Sequence, residues 1–229
     1  MISNPIFCAV DRTEVGAAMD LTARLDGLIG GVKLGLEFFT ANGPDGVRKV
    51  MAASRLPLFL DLKFHDIPNT VAGALRGIRK LEPAFTTIHA GGGLAMMKAA
   101  VDAAEGIKIL AVTLLTSLAE DDMPRLGVQG GVSDQVKRLA DLAAEAGVDG
   151  LVCSPHEVAD LRARLGDKLS LMVPGIRPAG SAADDQQRVL TPAEALAAGA
   201  TYLVIGRPIT GAADPAHAAR SIFASLEAA

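Results

Sequence analysis

The stretch Leu58-Phe59-Leu60-Asp61-Leu62-Lys63-Phe64-His65-Asp66-Ile67-Pro68-Asn69-Thr70 decides how the rest of the chain is read. It begins as an apolar run of strand length, gains charge as it ends, and passes through Pro68 into an amphipathic stretch over 71–81. A short run that is hydrophobic throughout suits a strand buried on both faces, and such strands belong to parallel sheets covered by helices. Side chains alternate along a strand, so Asp61 and Lys63 are expected to share one face while Leu62 packs on the helices behind. The stretch is thus one βα unit with its charges at the carboxyl end of the strand.

Working outward, the same pattern recurs. Apolar or β-branched runs stand at 6–10, 31–34, 85–89, 107–113, 148–153, 169–173 and 201–205. Ala/Leu-rich amphipathic stretches follow at 15–28, 94–105, 134–146, 157–165, 192–198 and 215–226, with a shorter one at 44–54. Strict β-then-α alternation argues for the α/β class. With the opening stretch there are eight units, which points to a closed (β/α)8 TIM barrel; an open doubly wound sheet is the second arrangement. No Pro/Ser-rich linker or charge block interrupts the series, so residues 1–229 are read as a single barrel domain. Two segments, 117–133 and 175–191, lack a regular pattern. Each follows a strand, where long loops close over substrate.

Composition narrows the function. The 229 residues are 50% hydrophobic and 21% charged, which suits a globular chain with a sizeable core. A net charge of −4, no Trp and one Tyr give neither a basic field nor stacking platforms for nucleic acid. No apolar run approaches the ~20 residues that span a bilayer. The start, Met1-Ile2-Ser3-Asn4-Pro5, lacks the basic and apolar regions of a secretory signal. Cys8 and Cys153 lie far apart inside apolar runs and are read as buried reduced thiols, which suits a cytoplasmic protein.

Chemistry in a barrel sits where the strands end. The polar residues expected there are Asp11, Lys33, Asp61, Lys63, His89, Thr113, Thr116, Arg177 and Arg207. Buried charges persist only when paired, so Lys33, Asp61, Lys63 and Asp66 are expected to form an alternating array. An ion-pair network that merely orders the barrel is the competing reading. Asp66 stands two residues before Pro68, where it could also cap the next helix. His65 is read as a surface residue and His89 as an inner-barrel histidine rather than a metal ligand. The loop Gly206-Arg207-Pro208-Ile209-Thr210-Gly211 after the eighth run suits a phosphate, with backbone N–H groups and a guanidinium fork, and Gly175-Ile176-Arg177 could face it. Walker A, G-x-G-x-x-G, H-E-x-x-H and C-x-x-C motifs are absent.

At residues 61–70 the chain closely resembles the orotidine 5′-phosphate decarboxylase family. D-x-K-x-x-D alone is shared with sugar-phosphate relatives; its extension Ile67-Pro68-Asn69-Thr70 is far more specific. Further matches are Val10-Asp11, Val32-Lys33-Leu34-Gly35, Leu115-Thr116-Ser117, Pro174-Gly175-Ile176-Arg177-Pro178, Asp185-Gln186 and Ile205-Gly206-Arg207-Pro208-Ile209-Thr210, in family order from 11 to 210. The resemblance implies decarboxylation of orotidine 5′-monophosphate to uridine 5′-monophosphate, the last step of pyrimidine nucleotide synthesis, by a prokaryotic stand-alone type of chain. It implies Lys63 as proton donor and Lys33, Asp61 and Asp66 as the rest of a charged tetrad. Asp66 and Thr70 would reach in from the partner subunit of a homodimer. Asp11 would bind a ribose hydroxyl, and Thr116 and Ser117 the pyrimidine. Gln186, Gly206 and Arg207 would hold the phosphate, with Arg177 on a closing loop. No metal or organic cofactor is implied. Two other functions compete: a metal-dependent sugar-phosphate aldolase or epimerase using Asp61 and His89, and a phosphate-sensing barrel without catalysis.

Overall fold

Each of the eight apolar runs forms a strand in the computed structural model, which describes residues 4–178 and 190–227. They are β1 (Ile6–Ala9), β2 (Gly31–Gly35), β3 (Leu58–Phe64), β4 (Phe85–His89), β5 (Lys108–Val112), β6 (Gly150–Val152), β7 (Ser170–Val173) and β8 (Tyr202–Ile205). The strands pair in chain order, all parallel, and β8 closes on β1 through Ile6↔Leu203, Phe7↔Val204 and Cys8↔Ile205. The TIM barrel expected from the alternation is thus the fold.

The helices are α1 (Val15–Leu25), α2 (Leu36–Met51), α3 (Pro68–Ile78), α4 (Gly93–Ala104), α5 (Asp122–Arg125), α6 (Val132–Ala146), α7 (Val158–Leu165), α8 (Pro192–Ala197), α9 (Arg207–Thr210) and α10 (Pro215–Glu227). α6 shows why these stretches are helical: Val132, Val136, Leu139, Ala140, Ala143 and Ala146 recur at helical spacing and are all buried. α5 and α9 are single turns inserted after β5 and β8.

The two-residue period of the strands divides the core. Cys8, Leu60, Ile88, Ile109 and Ile205 face outward under the helices, in one large cluster. Phe7, Phe59, Phe85, Leu110, Met172 and Tyr202 face inward and form a second, smaller cluster. Four of these are aromatic and meet edge to face: Phe7 lies 6.2 Å from Phe59, 5.6 Å from Phe85 and 5.5 Å from Tyr202, centroid to centroid. Phe7 needs a partner strand with no side chain, because a Cβ on Gly31 would stand 2.2 Å from its ring. Two residues further along β2, β3 and β4 the inward positions turn polar, at Lys33, Asp61 and Thr87, while Ala9 and Val204 continue the apolar inner cluster. The alternation that plugs the bottom of the barrel also aims the polar residues into its mouth.

Three expectations need correction. The helix after β2 does not begin at 44; α2 starts at Leu36, where buried Phe38 packs on the core, and crosses Gly43-Pro44 with a kink at Gly43 (φ +61°). Glycine tolerates that φ, so the helix resumes instead of ending. The stretch 117–133 is not wholly irregular: it holds α5, and Glu120 accepts hydrogen bonds from Val132 N at 3.1 and 3.2 Å, tying the loop to the start of α6. Asp66 does not cap α3, whose N-cap position is Ile67; its Oδ1 instead accepts the adjacent Ile67 N–H at 2.6 Å. Both cysteines are buried and unpaired, as expected, and burial pushes the Cys8 thiol up to about 12. No helix among the described residues is long and apolar enough to cross a membrane.

Candidate active site

The carboxyl ends of the strands open onto a cavity of 690 Å³. Asp11, Lys33, Asp61, Lys63, Thr116, Arg177, Gly206 and Arg207 all line it. These residues come from six of the eight strands or the loops directly after them, as the pattern of strand-end polar residues predicts.

Asp61 is the centre of the charged array. The Lys63 Nζ donates to both of its carboxylate oxygens at 2.8 Å. The Lys33 Nζ lies 3.8 Å from its Oδ2 and 3.5 Å from Asp11 Oδ1. The sequence is thus Asp11–Lys33–Asp61–Lys63, one step displaced from the expected Lys33–Asp61–Lys63–Asp66. Burial pushes the Asp61 carboxyl up, but the Lys33 and Lys63 charges and hydrogen bonds from Lys63 and Thr87 outweigh it and leave it below the usual carboxylate range. Asp61 is therefore an anion held in a poorly solvated place, facing two ammonium groups.

Lys63 reaches this position by a route that alternation does not foresee. The β3–β4 ladder shifts register between Leu60 and Phe64, and Lys63 has φ +49°. A left-handed backbone at a non-glycine residue costs energy and persists where the surroundings fix it. Here Lys63 N donates to Thr87 Oγ1 at 2.8 Å, and the Thr87 hydroxyl donates to Asp61 Oδ1 at 2.8 Å.

Asp66 and Thr70 are exposed, and neither lines the cavity of its own barrel. Among the described residues Asp66 makes no ion pair, so the fourth member of the expected array is not assembled within one chain. Ser117 is exposed and does not line the cavity, whereas its neighbour Thr116 does. Gln186 lies outside the described residues, as does most of the 175–191 loop. The ends of that loop are joined: Ile176 and Leu190 form a parallel bridge, and Arg177 N donates to Leu190 O at 3.0 Å. Arg177 is buried and lines the cavity near Gly175.

His65 is exposed and His89 half-buried, with ring centroids 5.2 Å apart. Burial, followed by the nearby His65 and Lys63, lowers the His89 pKa. His89 therefore favours its neutral form. Among the described residues no three His, Cys, Asp or Glu side chains converge as a metal site.

Two residues were missed from sequence. Thr87 was signalled by the strand period, since it shares the inward face with Phe85 two residues before it. Arg12 lines the cavity and its Nη2 donates to Thr210 O at 2.7 Å, linking the loop after β1 to α9. Its only signal was its place directly after the strand-end Asp11.

Chemically, the site offers a fixed ammonium beside a buried carboxylate, and an arginine at Gly206-Arg207 on the same cavity. The first can stabilise and then protonate a developing carbanion. The second suits a phosphate.

The family model described as "Orotidine 5'-phosphate decarboxylase / HUMPS family" matches residues 4–222. A protein of Rhodospirillum rubrum named orotidine 5'-phosphate decarboxylase is 58% identical, over 99% of this chain and 95% of its own length. One of the same name from Paramagnetospirillum magneticum is 56% identical, over 97% and 98%. Among solved structures, orotidine 5'-phosphate decarboxylase from Lactobacillus acidophilus superposes with a TM-score of 0.87 at 36% identity, covering 98% of this chain and 99% of that one.

Proposed function

The chain belongs to the orotidine 5'-phosphate decarboxylase / HUMPS family, and from that membership we propose that it converts orotidine 5′-monophosphate and a proton to uridine 5′-monophosphate and CO2. The observation that carries this reading is the Lys63 ammonium, held 2.8 Å from both oxygens of a buried Asp61 at the barrel mouth. The C6–carboxylate bond breaks, CO2 leaves and the electron pair stays on C6. Lys63 stabilises that pair and gives a proton to C6; the neutral amine then regains one from solvent. Asp61 beside the substrate carboxylate disfavours the ground state. Lys33 holds Asp61 from the other side.

The remaining roles are those the family resemblance implies, and Asp11, Thr116, Gly206 and Arg207 line the cavity, which supports them. Asp11 binds a ribose hydroxyl, Thr116 with Ser117 the pyrimidine, and Gly206, Arg207 and Gln186 the phosphate. Arg177 stands where the 175–191 loop meets the mouth. Phosphate binding far from the reacting carbon drives closure and excludes water. A second copy of the chain supplies Asp66 and Thr70; this is supported by their exposure and by the neighbouring Ile67, which is 67% exposed. The reading assigns no metal or organic cofactor, a single barrel over 1–229, and a cytoplasmic location suited to two unpaired buried thiols. A metal-dependent sugar-phosphate reaction fits less well, because a cation on Asp61 would have to displace Lys63 from both oxygens.

The test is turnover of orotidine 5′-monophosphate by the wild-type and Lys63→Ala proteins, with binding of uridine 5′-monophosphate measured alongside in Asp61→Asn. The lysine variant should lose turnover while Asp61→Asn still binds product. Wild-type rates in Lys63→Ala would remove Lys63 from the chemistry.

A further inference from the structure

We propose that Thr87 is a positioning residue for the reaction, tying the Lys63 backbone and the Asp61 carboxylate into one unit that aims the ammonium. This role rests on the assignment of Lys63 and Asp61 as the reacting groups.

The hydrogen bonds form a closed ring. Lys63 N donates to Thr87 Oγ1, Thr87 Oγ1 donates to Asp61 Oδ1, and Asp61 Oδ1 accepts from Lys63 Nζ, each at 2.8 Å. The ring thus joins the tip of the Lys63 side chain to its own backbone. A hydroxyl has one hydrogen, and here its direction is set: the amide N–H can only donate to the oxygen and the ionised carboxylate can only accept, so the hydrogen goes to the carboxylate. Thr87 is fully buried, so no bulk water substitutes for either partner. The place matters as well. The β3–β4 ladder shifts at this point, and the φ of +49° leaves the Lys63 N–H without a regular strand partner. Thr87 satisfies that donor and so holds the left-handed backbone from which the side chain turns back to Asp61. A β-branched residue suits the task because its χ1 is stiff.

Asp61 is faced by Lys33 from β2, Lys63 from its own strand and Thr87 from β4; Asp11 lies beyond Lys33, and His89 stands further along β4. Among these, Thr87 contributes no charge. Its removal therefore changes a hydrogen bond that favours the ionised carboxylate while leaving the local charge intact, and the Asp61 carboxyl should move upward.

Thr87→Val keeps the shape and removes the hydroxyl; Thr87→Ser keeps the hydroxyl. In Thr87→Val, kcat/KM should fall about ten- to a hundredfold, with the loss mainly in kcat and the acid limb moved to higher pH. Thr87→Ser should recover to within about threefold of wild type. In parallel, the Asp61 carboxyl titration is followed by NMR on 13C-labelled aspartate, and its midpoint should rise in Thr87→Val. This second readout needs no substrate, so it decides whether the Thr87 hydroxyl holds the Asp61 carboxylate even if the wild-type protein fails to decarboxylate orotidine 5′-monophosphate, which would overturn the proposed function instead. Where Thr87→Val does not fold, Thr87→Cys, with its weaker donor, takes its place with the same expected order. An unmoved midpoint with wild-type kcat/KM in the valine variant, or a serine variant as impaired as the valine one, would overturn the proposal.

Discussion

At the scale of single residues, the chemistry depends on groups that cost free energy to place. An ionised carboxylate with 8% exposure is tolerated because two lysines and a threonine hydroxyl compensate its lost hydration. Arg207 lines the same cavity, and in the proposed reading its contribution goes through the phosphate rather than the reacting carbon. Arg207→Ala should therefore reduce kcat/KM by about a hundredfold, with the melting temperature close to that of wild type. Steady-state kinetics with orotidine 5′-monophosphate and a thermal melt check this; near-normal kinetics would remove the phosphate assignment. At this scale the sequence was most informative where a side chain carries charge. Asp61, Lys33 and Lys63 were found because charged residues stand out at the ends of apolar runs. Thr87 was not, since a threonine inside a strand has the ordinary preference for that structure and no charge to draw notice.

At the scale of elements, the strands were legible because burial on both faces leaves a nearly continuous apolar run, and the eight runs needed adjustment by no more than two residues at an end. Helix boundaries were harder. Gly43 and Pro44 read as an interruption, yet the buried Phe38 holds the preceding turns to the core and the chain kinks and continues. The turn at Lys63 was invisible for a different reason: alternation gives the right face for its side chain, but the actual path runs through a register shift and a positive φ fixed by a neighbouring strand. The layer below the site is made of elements rather than single groups. Phe7 of β1 touches the aromatic rings of β3, β4 and β8, so it joins strands distant in sequence. Phe7→Ala should destabilise the protein by about 3–5 kcal/mol, read as an earlier unfolding midpoint in urea. A midpoint like that of wild type would mean that the aromatic plug does not hold the barrel bottom together.

At the scale of the whole molecule, the barrel completes a cavity but not the charged array. Asp66 and Thr70 sit outside the cavity of their own chain, on a loop where Ile67 also faces outward. Nothing in one sequence marks a residue as working in another copy, so the role proposed for Asp66 and Thr70 rests on the resemblance to the family. The dimer reading is tested by co-expressing Lys63→Ala with Asp66→Asn. Each parent should be poorly active, but a mixed dimer has one site with an intact Lys63 and the partner's intact Asp66. Roughly a quarter of all sites would then be complete in a random mixture of a two-fold dimer. Activity rising toward that fraction supports a shared site, and activity no higher than that of the parents contradicts it.

The most direct measurement is an ultraviolet assay of the purified protein with orotidine 5′-monophosphate in excess EDTA, following loss of the orotate chromophore and identifying the nucleotide formed. Conversion to uridine 5′-monophosphate, lost in Lys63→Ala, is the expected result and assigns the reaction to the Lys63–Asp61 pair without a metal. No conversion, with EDTA or after added magnesium, would contradict the decarboxylase reading and leave the barrel with a different sugar-phosphate chemistry.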